Sequence, residues 1–135
     1  MEARYVAEIL VRRGAMPAER LEELVAAASE KHVSLTDLAI AAHVAEEEAV
    51  VRALAEELQM EFAAAIQPND IPQELVDRVP ITFARLHHAL PIGEWNGTVR
   101  VAIANPLDLT PLDDLRVLLA RPIHPVAATT EVIED

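Results

Sequence analysis

The chain has 135 residues, 52% of them hydrophobic and 25% charged, enough for one domain or for two small subdomains sharing a core. It contains no cysteine, which excludes a disulfide scaffold, a thiolate zinc site and a cysteine nucleophile and fits a reducing cytoplasm. Eleven basic against 23 acidic residues give a net charge of −12, so neither a phosphate-neutralising surface for nucleic acid nor attachment to anionic lipid is expected.

No apolar run reaches the roughly 18–20 residues of a membrane span. Aromatic residues make up only 3%, too few for a base-stacking platform. Eight of the nine prolines stand at Pro68 or later. The chain therefore divides into an Ala-, Leu- and Glu-rich helical subdomain, residues 1–60, and a Pro-punctuated α/β subdomain, residues 61–135. Acidic excess is shared evenly, with six basic and twelve acidic side chains in the first part and five and eleven in the second.

Four short helices are expected in the first part. Val6, Ile9, Leu10 and Arg13 follow helical spacing, and Gly14 suits the left-handed residue that ends such a helix. Pro17 fits a helix start, with Leu21, Leu24, Val25 and Ala28 as the buried stripe. Ser34 and Asp37 have the spacing of a capping box for a helix through Ala42. Glu46, Glu47 and Glu48 place three carboxylates in the solvated first turn of the helix carrying Val50, Val51, Leu54 and Leu58. All four are too short to stand alone and must pack on one another.

An offset of 29 superimposes residues 5–28 on residues 34–57, as two 24-residue helix–turn–helix units separated by five residues. Val6 then meets Leu35, Leu10 meets Ala39, Leu21 meets Val50, Val25 meets Leu54 and Gly14 meets His43.

The second part reads as a β-β-α-β unit behind a short helix at residues 71–79, with Pro72 at its first position, and one further turn at 80–86. Strands at 88–92 and 98–104 flank Glu94, Trp95, Asn96 and Gly97, where Asn-Gly supplies the positive φ of a hairpin. Thr110 and Asp113 have capping-box spacing for a helix to about Leu119, with Pro111 at its start. A strand at 123–128 and a last helix capped by Thr129 complete an α+β fold.

Three features together resemble one family: the run from Ala7 through Ile9 and Leu10 to Gly14, the repeat at offset 29, and the run Asn105-Pro106-Leu107-Asp108 followed by Leu112-Asp113-Asp114-Leu115. The chain is similar, over nearly its whole length, to the N-terminal domain of type II secretion and type IV pilus assembly ATPases, also called the MshE N-terminal domain. The resemblance implies a cytoplasmic module that docks a motor on a membrane assembly platform, gated in some members by cyclic di-GMP. The motor is not encoded here: no G-x-x-x-x-G-K-[ST] loop occurs, and Gly14, Gly93 and Gly97 are the only glycines.

In the ligand-binding members each repeat resembles R-L-G-x-x-L-x-x-x-G…L-x-x-x-L-x-x-Q. Arginine stacks on guanine and pairs with phosphate, glycine admits the ligand, and glutamine bonds a base or phosphate edge. Carried onto this chain, the first repeat offers Tyr5, Ala7, Gly14 and Ala28 at those four positions, and the second offers Ser34, Thr36, His43 and Glu57. Only Gly14 keeps the family residue. The apolar positions, among them Leu10, Leu21 and Leu54, are kept, as a helical core requires with or without a ligand. Losing several charge-assisted contacts, each contributing roughly 1.5–3 kcal/mol, removes micromolar affinity, so no cofactor is expected.

Nothing else forms a catalytic constellation. His87 and His88, adjacent on an expected strand, would point to opposite faces. His32 and His43 flank the third helix, His43 as a cation at its C-terminus. Asp113 and Asp114 have roles at a helix start, which leaves Asp108 without a partner set for a metal. Ser29 and Ser34, the only serines, both sit beside helix ends. Interface candidates are Trp95 and the basic doublet Arg12 and Arg13.

The expected function is a non-enzymatic docking module for a protein partner, either the cytoplasmic part of a membrane assembly platform or a signalling protein. It would be cytoplasmic, recruited to the inner membrane through that partner. Complete at this length it would be an adaptor; excised, it would be the docking domain of a larger ATPase. The alternative is a cyclic-di-GMP sensor with altered contacts, Arg4 standing in for the arginine expected at Tyr5.

Overall fold

The computed structural model describes residues 3–66, 71 and 73–134. Helix α1 (Ala3–Arg12) buries Val6, Ala7, Ile9 and Leu10 on one face, as their spacing requires. A 3-10 turn (Ala18–Arg20) then leads into α2 (Leu21–Lys31). Helix α3 (Leu35–Ala41) is capped by Ser34, whose Oγ accepts the Asp37 amide at 3.1 Å. Helix α4 (Glu47–Glu57) buries Val50, Val51, Ala53, Leu54 and Ala55.

The ends of α1 and α3 repeat each other in three bonds at the expected offset. Arg13 donates to Ile9 at 3.0 Å as Ala42 donates to Leu38 at 2.9 Å, and Gly14 to Val11 as His43 to Ile40, both at 3.1 Å. Ala15 closes on Leu10 at 2.7 Å as Val44 closes on Ala39 at 2.9 Å. Gly14 and His43 are both left-handed, with φ of 75° and 59°. This is the helix-terminating pattern in which a left-handed residue lets two amides reach back to orphan carbonyls. The second helices diverge: α4 begins opposite the 3-10 turn, whereas α2 starts and ends one turn later.

Strand β1 (Glu61–Phe62), α5 (Gln73–Arg78), α6 (Ile81–His87), β2 (Ala89–Trp95), β3 (Thr98–Ile103), α7 (Thr110–Leu119), β4 (Ile123–Ala127) and α8 (Thr130–Glu134) complete the chain. The expected β-β-α-β order is present as β2-β3-α7-β4. The two-residue β1 adds a strand that no pattern announced, and the sheet order is β1-β4-β3-β2. Strands β2 and β3 are antiparallel, while β4 runs parallel to both β3 and β1.

Val99, Val101 and Ile103 face one core with Leu75, Leu112, Leu115 and Leu119. Ala102 and Val126 face another with Ile92 and Ile133. Period-two alternation along β3 feeds both, since successive strand residues point to opposite faces. The helical core gathers Val6, Ile9, Leu10, Leu24, Ala28, Leu35, Ala39, Val50 and Leu54. Each fully buried Leu, Ile or Val contributes ~1.5–3 kcal/mol. Val51 and Ala55 of α4 meet Ala127 of β4, which ties the helices to the sheet.

Several local expectations are corrected. His87 ends α6 and His88 is its left-handed cap (φ 47°), so neither belongs to a strand. Trp95 is the last residue of β2, paired with Thr98, and only Asn96 and Gly97 make the turn. Thr110 is the first residue of α7, with no side-chain cap; the cap is Leu109, and Asp108 Oδ1 takes the Thr110 amide at 3.1 Å. A nearer carboxylate has displaced the expected box. Pro72 lies outside the described residues.

Candidate functional site

The Asn105–Asp108 turn is built by its own side chains. Asn105 Oδ1 accepts the Leu107 amide at 3.0 Å, and the Asp108 amide donates to the Asn105 carbonyl at 3.2 Å. Side-chain-to-backbone bonds of this kind are what Asn and Asp contribute to tight turns. The turn buries Pro106 and sends Leu107 into the helical core beside α1 and α3. The most distinctive run of the sequence thus joins sheet to helices.

A second joint lies opposite. Glu47, expected in a solvated first turn, is half-buried and accepts the Thr130 amide and Oγ1, both at 2.9 Å. A side chain of α4 therefore caps the start of α8. A cleft of about 310 Å³ lies between these joints, bordered by Asp37, Glu47, His87, His88, Asp108 and Thr130. Among the described residues no group of three or more His, Cys, Asp or Glu could hold a metal ion.

The family ligand positions fall into two sets. Ala7, Leu10, Ala28 and Leu54 are buried together in the helical core, and Leu21 packs against it half-covered. Thr36 is buried, with its Oγ1 2.8 Å from Ser34 Oγ, so both hydroxyls are engaged at the start of α3. Tyr5, Gly14, Ser34 and His43 reach the surface, Tyr5 at 46% exposure. A Cβ at Gly14 would meet no atom within 4 Å, so its φ, not a close approach, is what asks for glycine.

Glu57 stands at the second repeat's glutamine position and is held by Arg12 Nη2 at 2.7 Å and Arg13 Nε at 3.1 Å. Arg13 also reaches Glu56 at 3.2 Å. The hydrogen bonds from Arg12 and then Arg13 hold the Glu57 carboxyl below its ordinary range. The basic doublet is thus turned onto the end of α4. Arg4 grips Glu22 with two bonds, at 2.7 and 2.9 Å, and lowers that carboxyl in the same way. No spacing rule pairs residues this far apart, so none of these contacts was readable beforehand.

Trp95 is 73% exposed beside a cleft of about 390 Å³ with Glu61, Thr98, Arg100 and His124. Arg100 pairs with Glu61, and His124 Nε2 lies 3.3 Å from the same carboxylate. Trp95 thus borders this cleft, whereas the doublet is turned onto Glu56 and Glu57 at the end of α4. No helix is long and apolar enough to cross a membrane among the described residues.

Comparison with known proteins matches this architecture. The structure is similar to that of MshE with cdg, with a TM-score of 0.76 and 25% identity over 96% of this chain and 94% of that one. It is also similar to the N-terminal domain of XpsE, with a TM-score of 0.80 and 25% identity over 100% of this chain and 93% of that one. A second crystal form of XpsE gives 0.65 and 23% over 97% and 90%. No curated protein sequence matches. The MshEN domain profile matches residues 58–135, from the end of α4 through the Asn105–Asp108 turn to the last helix. The resemblance to the N-terminal domains of secretion and pilus ATPases is therefore borne out, and the chain belongs to the MshEN domain family.

Proposed function

We propose that this chain is a non-enzymatic docking module of the secretion and pilus ATPase type, cytoplasmic and drawn to the inner membrane through a protein partner. One observation carries the reading: the polar positions that hold cyclic di-GMP in the family are here engaged within the fold or lack the needed group. Tyr5 and Ser34 stand where cations are required, Ala7 and Ala28 are buried, and Glu57 is a carboxylate already paired with Arg12 and Arg13.

The test has two arms. Calorimetric titration with cyclic di-GMP, with GTP and ATP as controls, is expected to be flat. A pull-down from the cell of origin is expected to recover a secretion, pilus or signalling protein. Recovery of none counts against docking.

The second reading, a cyclic-di-GMP sensor, is favoured by the likeness to MshE with cdg. Affinity at micromolar or better would put it first. Loss of that affinity in Arg4→Ala and Gly14→Ala would assign the altered contacts.

A further inference from the structure

Helix α6 is thinly covered, since none of its side chains is fully buried. A seven-residue helix has little stability of its own, and Ile81 on its surface is 64% exposed. Ile81, Ala84 and Arg85 occupy the i, i+3 and i+4 positions of one helical face. They border a groove of about 530 Å³ whose other walls are Leu90 of β2 and Ile133 of α8. This is a ligand-sized cleft, apolar along its walls.

Among the arginines, charge points to the same place. Among the described residues, Arg4, Arg12, Arg13, Arg20, Arg52, Arg78, Arg100, Arg116 and Arg121 all meet a carboxylate. Arg85 meets none. From Arg78 to Gly93 the sequence holds two arginines and two histidines and no acidic residue, in a chain of net charge −12. An apolar groove with an unanswered cation on its rim therefore sits on an otherwise acidic protein.

We propose that this groove receives a short amphipathic helix of a protein partner, its apolar side chains against Ile81, Leu90 and Ile133 and a carboxylate against Arg85. Helix-in-groove recognition takes its affinity from apolar anchors at i, i+3, i+4 and i+7 and its choice of partner from flanking charge. An acidic partner helix is complementary here, whereas a basic one would face Arg85 with the wrong sign. This deepens the docking reading, on which it rests, by placing the surface and naming the partner's chemistry.

Two fluorescent peptides of about fourteen residues serve as probes, with leucines at helical spacing and either glutamates or lysines at the flanking positions. Anisotropy titration of the full chain is expected to show the glutamate peptide binding about five- to tenfold tighter than its lysine twin. Arg85→Glu, a surface change whose folding is checked by circular dichroism, is expected to reverse that order. Ile81→Ser is expected to weaken both peptides.

Equal affinities, a preference that survives Arg85→Glu, or no binding of either peptide each overturns the inference. So does a dimer, seen by sedimentation, that Arg85→Glu dissolves, because a second copy would then fill the groove. If wild type and Arg85→Glu capture a secretion or pilus protein equally well, docking stands and the surface lies elsewhere. If wild type captures none while the peptide preference holds, the groove stands and the docking reading falls.

Discussion

The helices before residue 58 and the sheet unit after it share one body, yet only the second half matches the family profile. The difference lies in what each half asks of its residues. The helical half asks for apolar side chains at Val6, Leu10, Leu35 and Leu54, and many substitutions satisfy that. The sheet half contains a turn that needs Asn at 105 to hold the Leu107 amide and a carboxylate at 108 to hold Thr110. Specific hydrogen bonds narrow the choice of residue more than burial does. A fold can thus persist in a half that the family profile does not match.

The largest expected effects test whether the halves are one cooperative unit. Leu54→Ala in the helical core and Leu115→Ala beneath the sheet each delete a fully covered side chain, at a cost of about 2–5 kcal/mol. Because Leu107, Glu47 and Val51 bridge the halves, both variants are expected to shift a single urea transition. Amide exchange at Leu10 and Val101 should accelerate together in either variant. Fast exchange at Leu10 alone in Leu54→Ala would mean two independent units.

Legibility followed the range of the interaction. The stripes of α1, α2 and α4, the left-handed end at Gly14, the Asn96-Gly97 hairpin and the order of the later strands all rest on neighbours within a few residues. They were read from spacing. Strand β1 was missed because two residues, Glu61 and Phe62, carry no period; only pairing with β4 makes them a strand. The exposed status given to Glu47 was wrong because its partner, Thr130, lies 83 positions away. The same holds for the clamp of Arg12 and Arg13 on Glu57, which lies 45 and 44 positions away. As for the site, the motif located the family positions, but only packing could say that Ala7 and Ala28 are enclosed.

The Glu47 joint comes next in size. Replacing it with Ala leaves the first amide of α8 and the Thr130 hydroxyl without their acceptor. The expected cost is about 1–2 kcal/mol, in the range of a lost helix cap or a charged hydrogen bond. Protection of the α8 amides should fall first, since this is the local opening that the cap resists. Unchanged exchange at Val132 and Ile133 would show that the cap is redundant with Thr129, whose Oγ1 takes the Val132 amide at 3.3 Å.

The paired helix ends offer a smaller and signed comparison. Gly14→Ala places a Cβ in a left-handed conformation and is expected to cost ~1 kcal/mol. No steric clash adds to this, since nothing lies within 4 Å of that Cβ. His43→Gly removes the same penalty at the equivalent position and is expected to stabilise by up to ~1 kcal/mol, less the added entropy of an unfolded glycine. Opposite signs in chemical denaturation would establish that both turns are kept for their backbone. A stabilised Gly14→Ala would contradict the left-handed geometry.

The smallest effect is the most specific in form. Arg12 and Arg13 hold the Glu57 carboxyl below its ordinary value, so the folded state binds that proton less readily than the unfolded chain does. The contribution is complete above the unfolded carboxyl value of about 4.3 and is lost as pH falls through the lower folded value. Glu57→Gln removes it. The gap in denaturation midpoint between wild type and Glu57→Gln should therefore be constant from neutral pH down to about 5 and close below about 4. Added salt should narrow the same gap at pH 7, because the pair lies where solvent ions screen it. Glu22→Gln, which loses the grip of Arg4, should show the same pH form at the far end of α1. No gap at any pH or salt concentration would mean that Glu57 joins α1 to α4 through its methylenes, which glutamine keeps, and not through its charge.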